Sequence, residues 1–171
     1  MIFLLFFLHI LILFFYYGYE KFFKKCKDVG LNGIVIPDLP YEEKEEISKV
    51  AKSYDVDIIS LIAPTSKDRI RMIAKDATGF IYLVSSMGVT GVRSEIKTDL
   101  EEIIVEIRNV TDVPVAVGFG INTPKQAENI SKIADGVIVG SAIIKIIEEY
   151  GNDSKDHLKD YVSRMKNATR F

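Results

Sequence analysis

The chain is 171 residues long (19.3 kDa), 48% hydrophobic and 27% charged, which is enough to bury one sizeable core and too little for two. Its 22 Lys and Arg against 24 Asp and Glu leave a net charge of -2, which excludes a strongly basic scaffold and an acidic tail, so no nucleic-acid partner is expected. A single cysteine, Cys26, with only His9 and His157 to help it, excludes an internal disulfide and any zinc-ligand spacing; a reducing compartment without a structural metal is the expectation.

Met1–Phe15 reads MIFLLFFLHILILFF, with no charged residue, no Gly, no Pro and five Phe. It differs from every later segment. A signal peptide needs a positive flank before the apolar stretch and small residues at a cleavage site, and neither is present. A spanning helix needs about 20 apolar residues, reached here only by counting Tyr16, Tyr17 and Tyr19 across Gly18. The following Lys21, Lys24, Lys25 and Lys27 keep a short signal anchor among the readings.

From Glu20 onward the pattern is regular. EKFFKKCKDVG (20–30) has helical apolar spacing and stops at Gly30; Cys26 within it reads as an ordinary core or surface thiol. GIVIPDLP (33–40) is a buried strand with its exit loop. Then come helix 41–54, strand 57–64, helix 66–76, strand 79–85, helix 98–110, strand 114–120, helix 124–133 and strand 135–141, closed by helical segments 142–150 and 155–167. Five β-branched strands separated by amphipathic helices predict an α/β fold with a parallel sheet. A doubly wound sheet and a (β/α)8 barrel share this alternation. Glycine turns opening helices after the last two strands, GFGINT (118–123) and GSAI (140–143), favour the barrel, whose phosphate site recurs there. A whole barrel takes about 250 residues, so the chain reads as a truncated barrel of about the last five to six βα units.

Functional groups of such folds gather at the carboxyl ends of the strands. Gly118, Gly120 and Gly140 let backbone N–H groups approach an anion, and the helix that follows adds its dipole. The loop SSMGVTGVRSE (85–95) has the length and polarity of a lid, offering Thr90 and Gly91. Tyr82 sits in the strand before it, where a tyrosine can face the barrel mouth or the core. Asp57 and Asp135 start strands and so lie at the wrong end. Asp38 and Glu95 remain on the active face, and Asp38 is equally suited to capping the helix near Tyr41. No convincing acid–base pair emerges.

With these loops in place, the sequence resembles the tryptophan synthase alpha chain family over residues 16–171. The matching stretches are YGYEKFFKKC (17–26), GIVIPDLPYEE (33–43), LIAPTS (61–66), GFIYLVSSMGVTG (79–91), PVAVGFGI (114–121) and DGVIVGSAI (135–143). The resemblance implies a (β/α)8 barrel of the TIM type and a carbon–carbon lyase of tryptophan biosynthesis. That enzyme splits indole-3-glycerol phosphate by a retro-aldol step into indole and glyceraldehyde 3-phosphate. It also implies a cytoplasmic location, no cofactor in this chain, and a partner beta subunit carrying pyridoxal phosphate in an alpha2beta2 complex. Carried over residue by residue, Gly91, Gly120, Gly140 and Ser141 hold the phosphate. Tyr82, Thr90 and Phe119 line the pocket, while Val35, Pro37, Ile62 and Ile138 touch the indole. Asp38 falls near the beta-subunit face. The family's catalytic glutamate and aspartate belong to its second strand and the loop after it, ahead of the matched stretch, so no catalytic residue is expected here and the isolated chain is expected to be inactive.

The resemblance also implies a reading of the front segment. Family members commonly carry a third strand of the kind DIPIVFLTYSNPIF before YYGYEKFF. Codons for that strand, read one base late, yield the order of residues 2–15. Residues 1–15 are therefore expected to be an out-of-frame third strand, and residues 16–171 a partial barrel domain. Two other functions compete with the lyase: a non-catalytic half-barrel that binds phosphate or the beta subunit, and a membrane-anchored fragment.

Overall fold

In the computed structural model, the described residues are 5–85 and 95–170, the side chains of 95–99 excepted. Six parallel strands lie side by side in chain order: β1 (Phe6–Leu8), β2 (Gly33–Val35), β3 (Asp57–Ile62), β4 (Ile81–Val84), β5 (Val115–Gly118) and β6 (Gly136–Val137). Between them run α1 (Leu11–Tyr17), α2 (Tyr19–Asp28), α3 (Lys44–Ser53), α4 (Lys67–Lys75), α5 (Glu95–Arg108) and α6 (Pro124–Ser131), and α7 (Ser141–Tyr150) and α8 (Ser154–Ala168) follow. The sheet curls into a half-barrel with helices on its convex side.

The alternation of side chains across each strand builds the two faces. Ile34, Ile36 and Ile58 join Phe23, Ile47 and Ala51 of α2 and α3 in one core. Ile62, Ile81, Leu83, Val115 and Val117 pack with Ile70, Leu100 and Ile107 of α4 and α5 in the other. The opposite, concave face carries Val35 beside Ile59, then Leu61 beside Tyr82 beside Ala116. At its amino-terminal end the Phe6 ring covers Gly33, where a Cβ would meet Phe6 Cε1 at 2.6 Å, and stacks edge-on against Phe80 with centroids 5.1 Å apart.

Two sequence readings change. Residues 5–17 are not foreign to the fold: Phe6–Leu8 pairs in register with Gly33–Val35, a sixth strand beside the five read from residue 33 onward and within the five to six βα units expected. An apolar, β-prone run without Gly or Pro can pair with a strand edge whatever the origin of its sequence. Within 33–40 the strand ends at Val35 and the exit loop follows, as expected, because Pro37 and Pro40 have no N–H to give a ladder. Asp38 does not cap the helix near Tyr41; its Oδ1 accepts from the Leu11 N–H at 2.8 Å, at the first turn of α1. Cys26 is a buried core thiol, and burial raises its pKa.

Candidate functional site

The carboxyl end of β5 is the most tightly determined part of the concave face. Gly118 ends the strand because Tyr82, one strand away, lies directly over it. A Cβ on Gly118 would come within 2.6 Å of Tyr82 Cζ. Burial raises the Tyr82 pKa, so the phenol stays a neutral donor across the physiological range.

Phe119, next along the chain, has φ +86°, in the region L-residues avoid, and Gly120 follows at +79°. Such conformations persist only where neighbours impose them. Here the neighbour is Ser85, fully buried at the end of β4. Its N–H donates to the Gly118 carbonyl at 2.9 Å and its hydroxyl to the Phe119 carbonyl at 2.7 Å. The Phe119 ring, 57% exposed, is thereby held out from the strand end. The turn is also pinned from behind: the buried Tyr161 of α8 donates its hydroxyl to the Asn122 carbonyl at 3.0 Å.

The two glycine turns, equivalent in sequence, differ in structure. α6 satisfies its own first turn. Thr123 accepts from the Gln126 N–H, and Gln126 Oε1 accepts from the N–H groups of Asn122 and Thr123 at 3.0 Å each. α7 has no such cap; its N-cap is Gly140, without a side-chain bond, and no acidic residue occupies its first turn. Its orphan N–H groups and positive dipole end are therefore left for an anion. A Cβ on Gly140 would meet nothing within 4 Å, and Ser141 is exposed. The bond from the Ile138 N–H to the Val117 carbonyl, 2.8 Å, ties the two turns together at the strand ends.

The structure thus brings Tyr82, Phe119, Gly120, Ile138, Gly140 and Ser141 to one end of β4–β6. Val35 faces the same concave side, and the exposed Pro37 follows it in the exit loop. Ile62 requires a correction: it is fully buried in the helix-facing core with Ile70 and Leu83, and its neighbour Leu61, paired with Tyr82, holds the concave position. Thr90, Gly91 and most of the expected lid lie outside the described residues, as does the Glu95 side chain. Beside the site, a 310 Å³ cavity opens between Pro37, Tyr41, Lys44, Leu61, Arg69 and Val84. Lys44 Nζ donates there to Ser60 Oγ at 2.8 Å and to the Asp76 carbonyl at 3.1 Å, and burial lowers its pKa.

Ser85 and Tyr161 were not singled out from the sequence. GFG does hint at a close approach, but nothing local names the residue that approaches. Asp57 starts β3 as expected, and Asp135 lies one residue ahead of β6, accepting from the Val115 N–H at 2.9 Å. Among the described residues, no group of three or more His, Cys, Asp and Glu could hold a metal, and no helix is long and apolar enough to cross a membrane.

Comparison with known proteins agrees with this fold. The family profile described as tryptophan synthase alpha chain matches residues 2–170. The alpha chain of Lacticaseibacillus casei is 48% identical over 154 residues, covering 90% of this chain and 58% of that relative. That of Methanocaldococcus jannaschii is 44% identical over 144 residues, covering 84% and 51%. The solved alpha subunit from Campylobacter jejuni superposes with a TM-score of 0.87 at 37% identity, over 95% of this chain and 64% of its own. A Mycobacterium tuberculosis tryptophan synthase structure gives 0.84 at 30%, over 96% and 62%. The chain spans rather more than half the length of the curated relatives it matches, and it belongs to the tryptophan synthase alpha chain family.

Proposed function

We propose that this chain is the substrate-phosphate and indole half of an alpha-type lyase acting on indole-3-glycerol phosphate. The carrying observation is the uncapped Gly140–Ser141 turn of α7, tied at the strand ends to the Phe119–Gly120 turn. In this reading Gly120, Gly140 and Ser141, with Gly91, hold the phosphate. Tyr82, Phe119, Val35, Pro37 and Ile138, with Thr90, line the indole pocket, and Leu61 takes the role first given to Ile62. The lyase reaction breaks the bond between indole C3 and the adjacent glycerol carbon. An acid protonates C3 and a base removes the proton of that carbon's hydroxyl, which becomes the aldehyde. The family's two carboxylates for this work belong to the part of the relatives that the match does not reach. The 171 residues by themselves therefore bind without turning over, because positioning alone does not lower the proton-transfer barrier. The beta subunit is the partner, pyridoxal phosphate stays with that subunit, and the cytoplasm is the compartment.

Titration calorimetry with indole-3-glycerol phosphate, on the chain and on Gly140→Asp, tests the reading. Binding that the added carboxylate abolishes supports it; binding indifferent to that change overturns it. For residues 1–15, the out-of-frame third strand is the proposal, and resequencing the locus across the T run before the Tyr16 codon decides it. An extra or missing base there supports the proposal, and a confirmed frame rejects it.

A further inference from the structure

The 310 Å³ cavity between β3, α3 and α4 is at the small end of the range for ligand pockets, about 300–1,000 Å³. Leu39, Pro40, Ile58 and Ile73 make much of its wall apolar, and Tyr41, Lys44, Ser60 and Arg69 supply its polar groups. Ser60 alternates along β3 with Ile58 and Ile62, which both pack into the helix-facing cores, whereas Leu61 pairs with Tyr82 on the concave side. The Lys44–Ser60 pair therefore stands on the convex side of the sheet, across from the substrate face.

Two donors of this pair are unspent. A lysine ammonium has three N–H groups. Lys44 gives one to Ser60 Oγ at 2.8 Å and one to the Asp76 carbonyl at 3.1 Å, and the third is left over. Ser60 is only 5% exposed; its Oγ accepts from Lys44, and its own hydroxyl hydrogen meets no acceptor among the described residues. A buried donor without a partner costs free energy. Two such donors on neighbouring atoms suit the two oxygens of one carboxylate, which accepts from both at once.

Charge points the same way. Lys44 and Arg69 are the charged residues on the wall, and the acids that offset them stand off it. Glu42 is held by Arg69 through Nη1 at 2.5 Å and Nη2 at 3.3 Å, and Asp76 accepts the Tyr41 hydroxyl. Lys44 has two neutral acceptors and no ion pair among the described residues, and Asp76 and Asp57 act on it only at longer range. Burial outweighs them and lowers its pKa, the mark of a cation short of a counter-charge. A phosphate, more highly charged and without an apolar part, suits this wall less well than an acid with one charge and a ring to lay against Leu39, Ile58 and Ile73.

We propose that the Lys44–Ser60 cavity binds a small organic monocarboxylate, its two oxygens taking the Lys44 N–H and the Ser60 O–H and its apolar body lying against Leu39, Ile58 and Ile73. The site is separate from the glycine turns and does not rest on the lyase reading.

Titration calorimetry of the full chain with 2-naphthoate, 2-naphthamide and acetate tests it. 2-Naphthoate is expected to bind with a Kd below about 1 mM. The amide, which keeps the ring without the charge, and acetate, which keeps the charge without the ring, are each expected to bind about tenfold more weakly or worse. Lys44→Met and Ser60→Ala should each weaken naphthoate by about tenfold while thermal unfolding stays cooperative. Lys44→Met should leave indole-3-glycerol phosphate binding unchanged, and Gly140→Asp should leave naphthoate binding unchanged. No naphthoate binding at about 1 mM, equal binding of acid and amide, or an affinity indifferent to either Lys44→Met or Ser60→Ala overturns the proposal. So does loss of naphthoate binding in Gly140→Asp, which would put the acid in the substrate site. Naphthoate binding by a chain that does not bind indole-3-glycerol phosphate counts against the lyase reading alone.

Discussion

Replacing Phe119 by Gly and, separately, by Ala isolates the strain stored at the end of β5. Both variants lose the ring, so its burial cancels between them; what differs is the backbone. Left-handed φ costs an L-residue about 1–2 kcal/mol, which Ala at φ +86° retains and Gly does not. Gly in turn is penalised by about 0.5–1 kcal/mol through the entropy of its unfolded chain. The difference leaves Phe119→Gly ahead of Phe119→Ala by about 0.5–1 kcal/mol, whereas at an unstrained position Ala leads by a similar amount. The buried Ser85 hydroxyl holds the turn through one 2.7 Å bond, and Ser85→Ala should cost about 1 kcal/mol. In that background the Gly-over-Ala gap should shrink as the turn relaxes. Urea denaturation of the six proteins, the unaltered chain included, compared at equal m-value, reads all of this. If Phe119→Ala is as stable as Phe119→Gly, or if the gap survives Ser85→Ala unchanged, then Ser85 does not impose the strain.

Gly118→Ala should destabilise by about 1–3 kcal/mol through overpacking against the Tyr82 ring, and should be near-neutral in a Tyr82→Ala background; additive losses in a double-mutant cycle would remove the contact from the account. Asp38→Ala should cost about 1 kcal/mol by leaving the Leu11 N–H uncapped, read as lost exchange protection confined to α1. Lys44 has its pKa lowered by burial from 10.5, so between its folded and unfolded values the unfolded chain holds the extra proton. Its destabilising effect is full below the folded value and fades as pH rises towards 10.5. Lys44→Met should therefore flatten the rise of Tm with pH over that window, and an unchanged slope would contradict the burial argument. Glu128, held at about 2 by the Lys125 and Lys132 ammonium groups, contributes stability above 4.5 that is lost as pH falls towards 2. Glu128→Gln should weaken that acid limb in thermal scans from pH 5 to 2.

The order of elements from α2 to α8 was legible because each helix carries its own apolar spacing and each strand its own β-branched run. Helix ends fell within three residues of expectation where the chain punctuates itself, as at Thr123-Pro124. The face of a strand end was less legible. Ile62 and Leu61 are both apolar, and only the pairing of Leu61 with Tyr82 and of Ile62 with Leu83 decides which one looks into the barrel. The same holds for Ser85. A serine after a strand is unremarkable until β5 brings the Phe119 carbonyl within 2.7 Å of its hydroxyl. Long-range contacts of this kind are written in two places at once, and neither place announces the other.

The first strand shows how little sequence a strand position needs. Only its backbone bonds, an unbroken apolar run and one ring over Gly33 are asked of β1, and Phe6–Leu8 meets all three. A reading frame displaced by one base replaces almost every side chain. Because it trades codons rich in T for others rich in T, however, it returns Phe, Leu and Ile, which keep a strand's propensity. What it cannot keep is the polar pattern that a strand of the concave face and its exit loop need to meet solvent and substrate. Accordingly Leu8, Ile10, Ile12 and Leu13 stand 47–61% exposed where the described helices α3 to α6 turn mostly charged or polar residues outward. On the proposed out-of-frame reading, the fold of β1 and its exposed apolar surface would share one cause, a composition that survived while its pattern did not. Restoring the third-strand sequence DIPIVFLTYSNPIF at residues 2–15 should keep six parallel strands and lower aggregation, measured by light scattering during refolding. Equal aggregation in the restored chain would place the cause at the open sheet edges instead.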